Sequence, residues 1–222
     1  MNTPTIIALT GHAGAGKDTV ASIILDNWAG RSMAFADALR EEVCAAFGVE
    51  HRTLTLRETK EQPLACLALS RCLDAGFVQR MAEHYASGVR EGGLFGEVLD
   101  LNAPRSPRQI MQWWGTEYRR VTRPGYWLDK TRGRIARHAA RGVGRIVITD
   151  VRFADEAALV RSLGGQLVQV IRPGTGAGDT RHESETAGDD FAPDAVIRNT
   201  GTLQDLRVEV PAVLNALAHI LE

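Results

Sequence analysis

The sequence predicts an α/β protein whose centre is a parallel sheet of about five strands, and three stretches carry this prediction. Residues 6–9 form a short apolar run that is followed by a glycine-rich turn and by helical spacing of apolar residues. Residues 145–149 and 167–171 are two further apolar runs, typical of strands buried on both faces of a parallel sheet. Shorter strands are expected at residues 32–35 and 195–197. The length of 222 residues fits one domain, with room for an inserted subdomain.

The composition bounds the class of protein. Hydrophobic residues make up 44% and charged residues 24% of the chain, which is enough apolar surface for a sizeable core. The net charge of −1 argues against non-specific nucleic-acid binding as the main role. No apolar run approaches the roughly 18 residues of a membrane span, and the first strand begins too early for a signal peptide. We therefore expect a cytoplasmic protein without a membrane partner, whose cysteines lack zinc spacing and are reduced thiols: Cys44, Cys66 and Cys72.

Residues 11–19, which we call the phosphate loop, read GHAGAGKDT and join the first strand to the first helix. Glycines let the backbone turn sharply and bring its N–H groups close to an anion. The helix that follows adds its free N–H groups and the positive end of its dipole. Lys17 would reach the outer phosphates as a mobile positive charge. The loop therefore predicts binding of a nucleoside triphosphate; the alternative is a glycine-rich turn that carries a lysine by chance.

The phosphate loop departs at one position from the common pattern G-x-x-x-x-G-K-[ST]. Asp18 stands where a Ser or Thr usually supplies a hydroxyl to magnesium, and Thr19 follows it. Either Asp18 or Thr19 must then face the metal, directly or through water, and the sequence leaves both open.

Charged residues follow the second apolar run. Asp150 comes directly after it, and Arg152 and Glu156 come next. Ligands of open α/β sheets gather at the carboxyl ends of the strands, so these side chains are expected beside the phosphate loop if the two strands are neighbours. Asp150 is a candidate for a place near magnesium or for a hydrogen bond from substrate, and Arg152 for neutralising a phosphate. The alternative is an Asp–Arg pair that closes the loop.

The middle of the chain predicts helices with fewer chemical signals. Asp37 is expected to be the N-cap of a helix that reaches Phe47, and Arg40 in its first turn opposes the helix dipole. Arg40 is therefore a candidate for holding an anion, the alternative being a solvated surface arginine. Residues 49–62 are predicted to be an irregular connection, and residues 64–89 one or two helices that cap the phosphate site.

A second helix is predicted over residues 108–121, because Ser106 is a good N-cap and Pro107 suits the first helical position. Gly115 inside this helix costs about 1 kcal/mol relative to Ala, so a close approach is expected there, either by substrate or by another helix. Thr116 beside it offers a hydroxyl.

Three features favour a small kinase among the proteins that use such a loop. The size leaves room for one sheet, a helical cap and a lid, and residues 172–190 are polar and glycine-rich as a lid would be. No Asn-Lys-x-Asp guanine-switch signal occurs. Arginines recur at the predicted rim, as two phosphates brought together require: Arg40, Arg108, Arg152, Arg172 and Arg181.

Motifs across nearly the whole chain resemble those of the phage-type deoxynucleoside monophosphate kinases, and they occur in that family's order: GHAGAGKDT, FADALR, SPRQIMQWWGTE, YW, VITDVRF, HESE and VIRNTGT. The resemblance implies a fold like that of adenylate kinase, a three-layer sandwich formed by residues 1–222 as a single domain. Within it, residues 36–106 would be the monophosphate-binding cap and residues 172–190 the lid. ATP, Mg²⁺ and a deoxynucleoside monophosphate are the implied cofactors and substrate.

The resemblance also implies roles for individual residues. The ATP phosphates would be held by Gly14, Gly16, Lys17, Asp18 and Thr19. The acceptor nucleotide would be bound by Leu39, Arg40, Arg108, Gly115, Thr116, Trp127, Asp150, Arg152 and Glu156. Trp127 is a candidate for stacking on the base, the alternative being plain packing in the core. The polar segment 172–190 adds Arg172 and Arg181, independently of the resemblance, as candidates for meeting the transferring phosphate together with Lys17 and Arg152. One more acceptor-binding arginine is expected between residues 52 and 102, where the candidates are Arg57, Arg71 and Arg80.

Direct in-line transfer is the expected mechanism, because the acceptor's phosphate oxygen is already a nucleophile and catalysis then rests on alignment and charge neutralisation. Two alternatives stay open. One is a kinase of a non-nucleotide phosphate, such as dephospho-coenzyme A or phosphomevalonate. The other is a regulatory protein that binds a nucleoside triphosphate without a phosphoryl acceptor. The accepted bases, tolerance of ribose and assembly as a homodimer are open as well.

Overall fold

A computed structural model describes residues 3–56, 58–86, 99–175 and 191–220, and the chain divides into two compact units. The first, which we call the sheet unit, combines residues 1–35 with residues 130–222. The second, the helical unit, consists of residues 36–129.

The sheet unit contains a five-stranded sheet in which every pairing is parallel. The strands are β1 (Thr5–Thr10), β2 (Arg31–Met33), β3 (Arg145–Ile148), β4 (Gln166–Ile171) and β5 (Ala195–Arg198), in the spatial order β2-β3-β1-β4-β5. The register places Ala8 opposite Ile148 of β3 and Leu167 of β4. The prediction of an α/β fold with a parallel five-stranded sheet is confirmed, and β1 lies at the centre of that sheet.

The α-helices of the described residues are α1 (Lys17–Asn27), α2 (Ala36–Phe47), α3 (His51–Thr55), α4 (Ala75–Ala86), α5 (Pro107–Gln112), α6 (Tyr126–Ala140), α7 (Ala154–Ser162) and α8 (Leu203–Ile220). Two 3-10 turns, Ala65–Leu67 and Leu69–Arg71, precede α4, and a π-helix (Trp113–Arg120) continues α5. Within the described ranges, none of these helices is long and apolar enough to cross a membrane.

Helices cover both faces of the sheet, which gives three layers. On one face Ile7 of β1 belongs to a core that α1 and α8 complete with Val20, Ile24, Val210 and Leu214. On the other face α7 approaches closely at Gly165, where a Cβ atom would lie 2.8 Å from a methyl carbon of Val160 and 2.9 Å from Cβ of Ile6. Parallel strands covered in this way are buried on both sides, which explains why they read as continuous apolar runs.

An aromatic cluster forms the core of the helical unit. The ring of Phe77 in α4 lies 4.6 Å from that of Trp114 and 5.5 Å from that of Tyr118, measured between centroids. Both partners belong to the π-helix, so these contacts fix the π-helix against α4. Tilted aromatic pairs of this kind contribute about 0.5–1.5 kcal/mol beyond the burial of their surface.

Three predictions about the helical unit are wrong in detail. Asp37 is not an N-cap, because α2 begins one residue earlier and the Asp37 carboxylate pairs with Arg40 inside the first turn. The connection predicted at residues 49–62 contains the short helix α3. Residues 108–121 are not a single α-helix, because the backbone changes to π-helical geometry at Trp113. The starting signals of that stretch are confirmed: Ser106 Oγ accepts a hydrogen bond from the backbone N–H of Gln109.

Candidate active site

The phosphate loop has a backbone conformation that suits glycine alone. Gly11, Gly14 and Gly16 have φ angles of +131°, +81° and +99°, which residues with a Cβ atom rarely adopt. A Cβ atom at Gly11 would lie 2.3 Å from the carbonyl oxygen of Val170, and one at Gly16 would lie 2.5 Å from Nδ2 of Asn199. Glycine is therefore favoured in this loop both by the backbone torsion angles and by close packing.

Lys17 is the first residue of α1, and its ammonium group is directed at the loop itself. Nζ donates hydrogen bonds to the carbonyl oxygens of Gly11 at 2.6 Å and of His12 at 2.9 Å. Gly16, which precedes α1, has no side chain with which to cap the N–H groups of the first turn. A positive charge and the N-terminus of a helix thus meet at one place, the arrangement that binds phosphate groups.

Asp18 and Thr19 follow Lys17 in the first turn of α1, and both side chains are exposed. A carboxylate and a hydroxyl are oxygen ligands of the kind that Mg²⁺ prefers, usually with phosphate oxygens and waters completing the shell. Among the described residues, no group of three or more His, Cys, Asp or Glu side chains forms a ready metal site. The oxygen atoms of Asp18 and Thr19 are therefore of the type that fits a magnesium ion.

The strand order brings the other candidates of the sheet unit to the same edge as the phosphate loop. β1 has β3 on one side and β4 on the other, and all three strands run in the same direction. Asp150 and Arg152 follow the end of β3, and Arg172 follows the end of β4. The sequence left open whether β1 and β3 are neighbours, and the pairing of β1 with β3 shows that they are. The carboxylate of Asp150 accepts a hydrogen bond at 2.7 Å from the backbone N–H of Phe35, the last residue before the helical unit.

The side chain of Glu156 accepts hydrogen bonds from backbone groups that precede α7. Its buried carboxylate accepts hydrogen bonds from the backbone N–H of Arg152 at 2.9 Å and of Phe153 at 3.3 Å. These bonds satisfy N–H groups that precede the helix and fix the backbone of Arg152, whose side chain is exposed. Glu156 therefore orients Arg152.

Arg172 is exposed at the carboxyl end of β4, and its carbonyl oxygen accepts a hydrogen bond at 2.7 Å from Thr175 Oγ1. Arg181 and the HESE motif lie outside the described residues, as does most of the lid predicted at residues 172–190.

In the helical unit, Gly115 lies between two other predicted acceptor residues. A Cβ atom at Gly115 would lie 3.2 Å from a methyl carbon of Leu39, so α2 makes the close approach that the glycine predicted. The indole N–H of Trp127 donates a hydrogen bond to the carbonyl oxygen of Gly115 at 3.0 Å. Trp127 is only 5% exposed, whereas Thr116 is partly exposed beside it. Gly115 is thus held from both sides.

The two arginines predicted to bind the acceptor phosphate in the helical unit each have a carboxylate partner. Arg40 pairs with Asp37 at 2.9 Å, and Arg108 pairs with Glu61 at 2.5 Å. Both pairs are partly exposed, so their exchange for a phosphate oxygen costs little.

The three competing arginines between residues 52 and 102 have different surroundings. Arg57 lies outside the described residues. Arg80 donates a hydrogen bond from Nε to the carbonyl oxygen of Glu117 at 3.2 Å, which ties it to the π-helix. Arg71 is exposed at the end of a 3-10 turn and makes no ion pair with the described part of the chain.

Sequence reasoning missed Glu42, whose carboxylate organises the base of this region. Oε2 accepts hydrogen bonds from the indole of Trp114 at 3.0 Å and from Nε of Arg119 at 2.9 Å, and Oε1 accepts one from the hydroxyl of Tyr126. Burial lowers the pKa of the Arg119 guanidinium, but the charge and hydrogen bond of Glu42, together with the charges of Tyr118 and Tyr126, outweigh burial, so that the pKa is raised. The one available signal was that Glu42 follows Leu39 by three positions, on the same side of α2.

Comparisons with known proteins bear on the family of this chain. A family model described as "Deoxynucleotide monophosphate kinase" matches residues 65–210. The deoxynucleotide monophosphate kinase of Enterobacteria phage T4 is 24% identical over 244 residues, covering 96% of this chain and 99% of the phage protein. A protein of Acanthamoeba polyphaga mimivirus, provisionally named for the same activity, is 26% identical over 210 residues, covering 92% and 93% of the two chains.

Among solved structures, the dephospho-CoA kinase from Campylobacter jejuni covers 98% of both chains, with 13% identity and a TM-score of 0.47. A likeness of that size carries no argument about the acceptor. The match of the family model to most of the chain does carry one: this chain belongs to the deoxynucleotide monophosphate kinase family, whose members are phosphotransferases.

Proposed function

We propose that this protein transfers the γ-phosphoryl group of ATP to a deoxynucleoside monophosphate, giving ADP and a deoxynucleoside diphosphate, with Mg²⁺ as cofactor. The observation that carries the proposal is the phosphate loop. Its three glycines with positive φ and the ammonium group of Lys17 lie at the same sheet edge as Asp150 and Arg152. Family membership supports a nucleotide as the substrate.

On the donor side, backbone N–H groups of the loop from Gly14 to Thr19 bind the phosphates of ATP. Lys17 exchanges its bonds to the carbonyl oxygens of Gly11 and His12 for bonds to phosphate oxygens. Because the ammonium group already lies at the loop, this exchange needs only rotation of a flexible side chain.

Asp18 and Thr19 would hold the magnesium ion, through their carboxylate and hydroxyl oxygens or through waters bound to them. Held there, the ion would neutralise negative charge on the phosphates of ATP. Asp18 lies in the first turn of α1, where a negative charge is favourable to the helix dipole.

On the acceptor side, Arg152 neutralises the monophosphate, with Glu156 as the residue that orients its backbone. In the helical unit, Leu39, Gly115 and Thr116 contact the nucleotide, and Arg40 and Arg108 bind its phosphate after leaving their carboxylate partners. Trp127 acts on this site through its hydrogen bond to Gly115, because a side chain that is 5% exposed has little ring surface for stacking on a base. Arg71 is the further acceptor arginine that its exposure favours.

The reaction is a direct in-line displacement. An oxygen of the acceptor phosphate attacks the γ-phosphorus, the bond to the bridging oxygen breaks, and ADP leaves. No covalent intermediate with the protein is needed, so the residues contribute alignment and charge. Lys17, Arg152, Arg172 and Arg181 supply positive charge to the transferred group.

An acceptor panel tests the proposal. The purified protein is given ATP and Mg²⁺ with each of the four deoxynucleoside monophosphates, the matching ribonucleotides, dephospho-coenzyme A and phosphomevalonate, and the products are separated by chromatography. We expect ADP and a deoxynucleoside diphosphate in equal amounts with at least one deoxynucleotide. Product with a non-nucleotide acceptor alone would replace the proposed substrate. Nucleotide binding with ADP and no second product would favour a regulatory protein.

A further inference from the structure

One motif of the chain, VIRNTGT, has no role in the proposed reaction, yet its asparagine contacts the phosphate loop. Asn199 follows β5, and its side-chain Nδ2 donates a hydrogen bond to the carbonyl oxygen of Ala15 at 2.9 Å. Its backbone N–H donates to the carbonyl oxygen of Ile171, the last residue of β4, at 2.8 Å. Asn199 thus joins the end of β4 to the loop, although 184 positions separate it from Ala15.

The amide of Asn199 lies close to both Ala15 and Gly16 of the phosphate loop. Ala15 is fully buried, so its carbonyl oxygen needs a protein partner, and the Asn199 amide supplies one. The same Nδ2 atom is the one that a Cβ atom at Gly16 would approach to 2.5 Å. Gly16 is therefore glycine both for its φ of +99° and to admit the Asn199 amide.

The turn that carries Asn199 is held by the start of α8. The carboxylate of Asp205 accepts hydrogen bonds from the backbone N–H of Thr202 at 2.7 Å and from its hydroxyl at 2.8 Å. α8 in turn packs on α1 through Leu206 and Val210, in the core that also contains Val20. The position of the Asn199 side chain is thereby fixed relative to α1, the helix that follows the phosphate loop.

Orienting the carbonyl of Ala15 has a direct effect on phosphate binding. The peptide bond between Ala15 and Gly16 is planar and trans, so its C=O and N–H point in opposite directions. A hydrogen bond that holds the carbonyl oxygen toward Asn199 therefore directs the N–H of Gly16 away from Asn199. In a phosphate nest, the direction of each N–H group determines whether it can donate to the anion.

We propose that Asn199 is a positioning residue for the donor phosphates, which fixes the Ala15–Gly16 peptide so that its N–H faces the ATP. This inference rests on the proposed binding of ATP by the phosphate loop. A donor is required at this position, because an acceptor atom facing the Ala15 carbonyl oxygen at hydrogen-bond distance would repel it. The inference predicts that an aspartate, which has the same shape and no N–H, is worse than an alanine.

The test compares Asn199→Asp and Asn199→Ala with a matched control, Asn27→Ala. Asn27 also donates from Nδ2 to a backbone carbonyl oxygen, that of Ile23 at 2.8 Å, but at the far end of α1. Steady-state kinetics give KM for ATP and for the deoxynucleoside monophosphate, and isothermal titration gives Kd for ATP. Circular dichroism and a melting curve verify the fold of each variant.

We expect KM and Kd for ATP to rise about tenfold in Asn199→Asp and less in Asn199→Ala, with KM for the acceptor within about twofold of wild type. Asn27→Ala should lower the melting temperature without changing either KM. Equal increases in both KM values, or ATP binding unchanged in a folded Asn199→Asp, would overturn the inference. If the aspartate variant does not fold, Asn199→Ala decides alone, because a folded alanine variant with the wild-type Kd for ATP would overturn the inference. Failure of the wild-type protein to bind ATP would instead refute the proposed function.

Discussion

The indole N–H of Trp127 donates its hydrogen bond to the carbonyl oxygen of Gly115, so that the first residues of α6 and the π-helix are joined at a predicted acceptor residue. Both groups are buried. A buried carbonyl that loses its partner costs about 1–3 kcal/mol, so the bond is structural as well as positional. An indole that serves as a donor to the backbone behaves differently from one that stacks on a base, and the difference can be measured.

Trp127→Phe keeps an aromatic ring in the core and removes the N–H group. We expect a loss of about 1–2 kcal/mol in the free energy of unfolding and a rise in KM for the monophosphate, with KM for ATP nearly unchanged. Chemical denaturation and steady-state kinetics measure the two effects. Trp113→Phe is the matched control, because the structure shows no indole hydrogen bond of Trp113 within the described residues and it belongs to the same core. A large rise in both KM values for Trp127→Phe would contradict the assignment.

Lys17→Ala should abolish phosphoryl transfer in a protein that stays folded. An aligned cation is worth several kcal/mol in a phosphoryl-transfer transition state, which corresponds to a rate loss of about a thousandfold or more. Removing two hydrogen bonds to loop carbonyls should cost little stability in comparison. The measurement is the rate of diphosphate formation at saturating ATP, with circular dichroism as the check on folding. A variant that keeps more than about a tenth of the wild-type rate would refute the assigned role of Lys17.

Arg152→Ala should raise KM for the monophosphate more than KM for ATP. The guanidinium is exposed at the carboxyl end of β3, and its backbone is oriented by Glu156, so the substitution removes charge without disturbing the start of α7. Arg132→Ala, which removes an exposed arginine from α6 in the same unit, controls for the general loss of positive charge. If Arg152→Ala changed both KM values equally, Arg152 would be removed from the acceptor site.

Glu42→Gln should destabilise the helical unit. The carboxylate accepts hydrogen bonds from Trp114, Arg119 and Tyr126, and removing its charge leaves the partly buried Arg119 with a weaker partner. Since both side chains keep some contact with water, we expect a loss of about 1–2 kcal/mol, below the value for a fully buried pair. Thermal unfolding measures it. Glu50→Gln breaks an exposed pair with Arg52 and should cost under about 0.5 kcal/mol. Equal losses in the two variants would show that the Glu42 network is not special.

Cys72 should react slowly with alkylating reagents at neutral pH. Burial raises the pKa of its thiol to about 11, an effect that the nearby Asp74 carboxylate increases and a hydrogen bond to the Asp74 backbone partly offsets. Because only the thiolate is nucleophilic, the reaction at pH 8 should be much slower than for the unfolded chain and should accelerate as the pH rises toward 11. Mass spectrometry after iodoacetamide treatment follows the site. A rate at pH 8 equal to that of the unfolded chain would contradict the raised pKa.

Local signals predicted the parts of the molecule whose cause is local. The phosphate loop, the start of α5 and the positions of Asp150 and Arg152 follow from glycine spacing, a Ser-Pro pair and an apolar run, each read within about ten residues.

Hydrogen bonds between residues far apart in the chain could not be predicted from the sequence, because nothing near a residue specifies its distant partner. Glu42 bonds to Trp114, 72 positions away, and Asn199 bonds to Ala15, so neither pattern is visible in a window of the chain. Asp37 was misplaced for a related reason: a carboxylate at the start of a helix suits both an N-cap and a first-turn residue, and the pair with Arg40 decides between them. Trp127 was assigned to the acceptor site from the resemblance, which does not reveal that its indole N–H is bonded to the backbone.

The π-helix at Trp113–Arg120 also bears on how chains of this kind should be aligned. Backbone hydrogen bonds in a π-helix join residues five apart, whereas those of an α-helix join residues four apart, so a π segment holds additional residues over the same axial rise. A relative that folds this stretch as an α-helix would need a deletion between Ser106 and Val121 to keep its later residues in phase. The position of a gap in that short interval of an alignment would therefore distinguish relatives with a π-helix there from relatives with an α-helix.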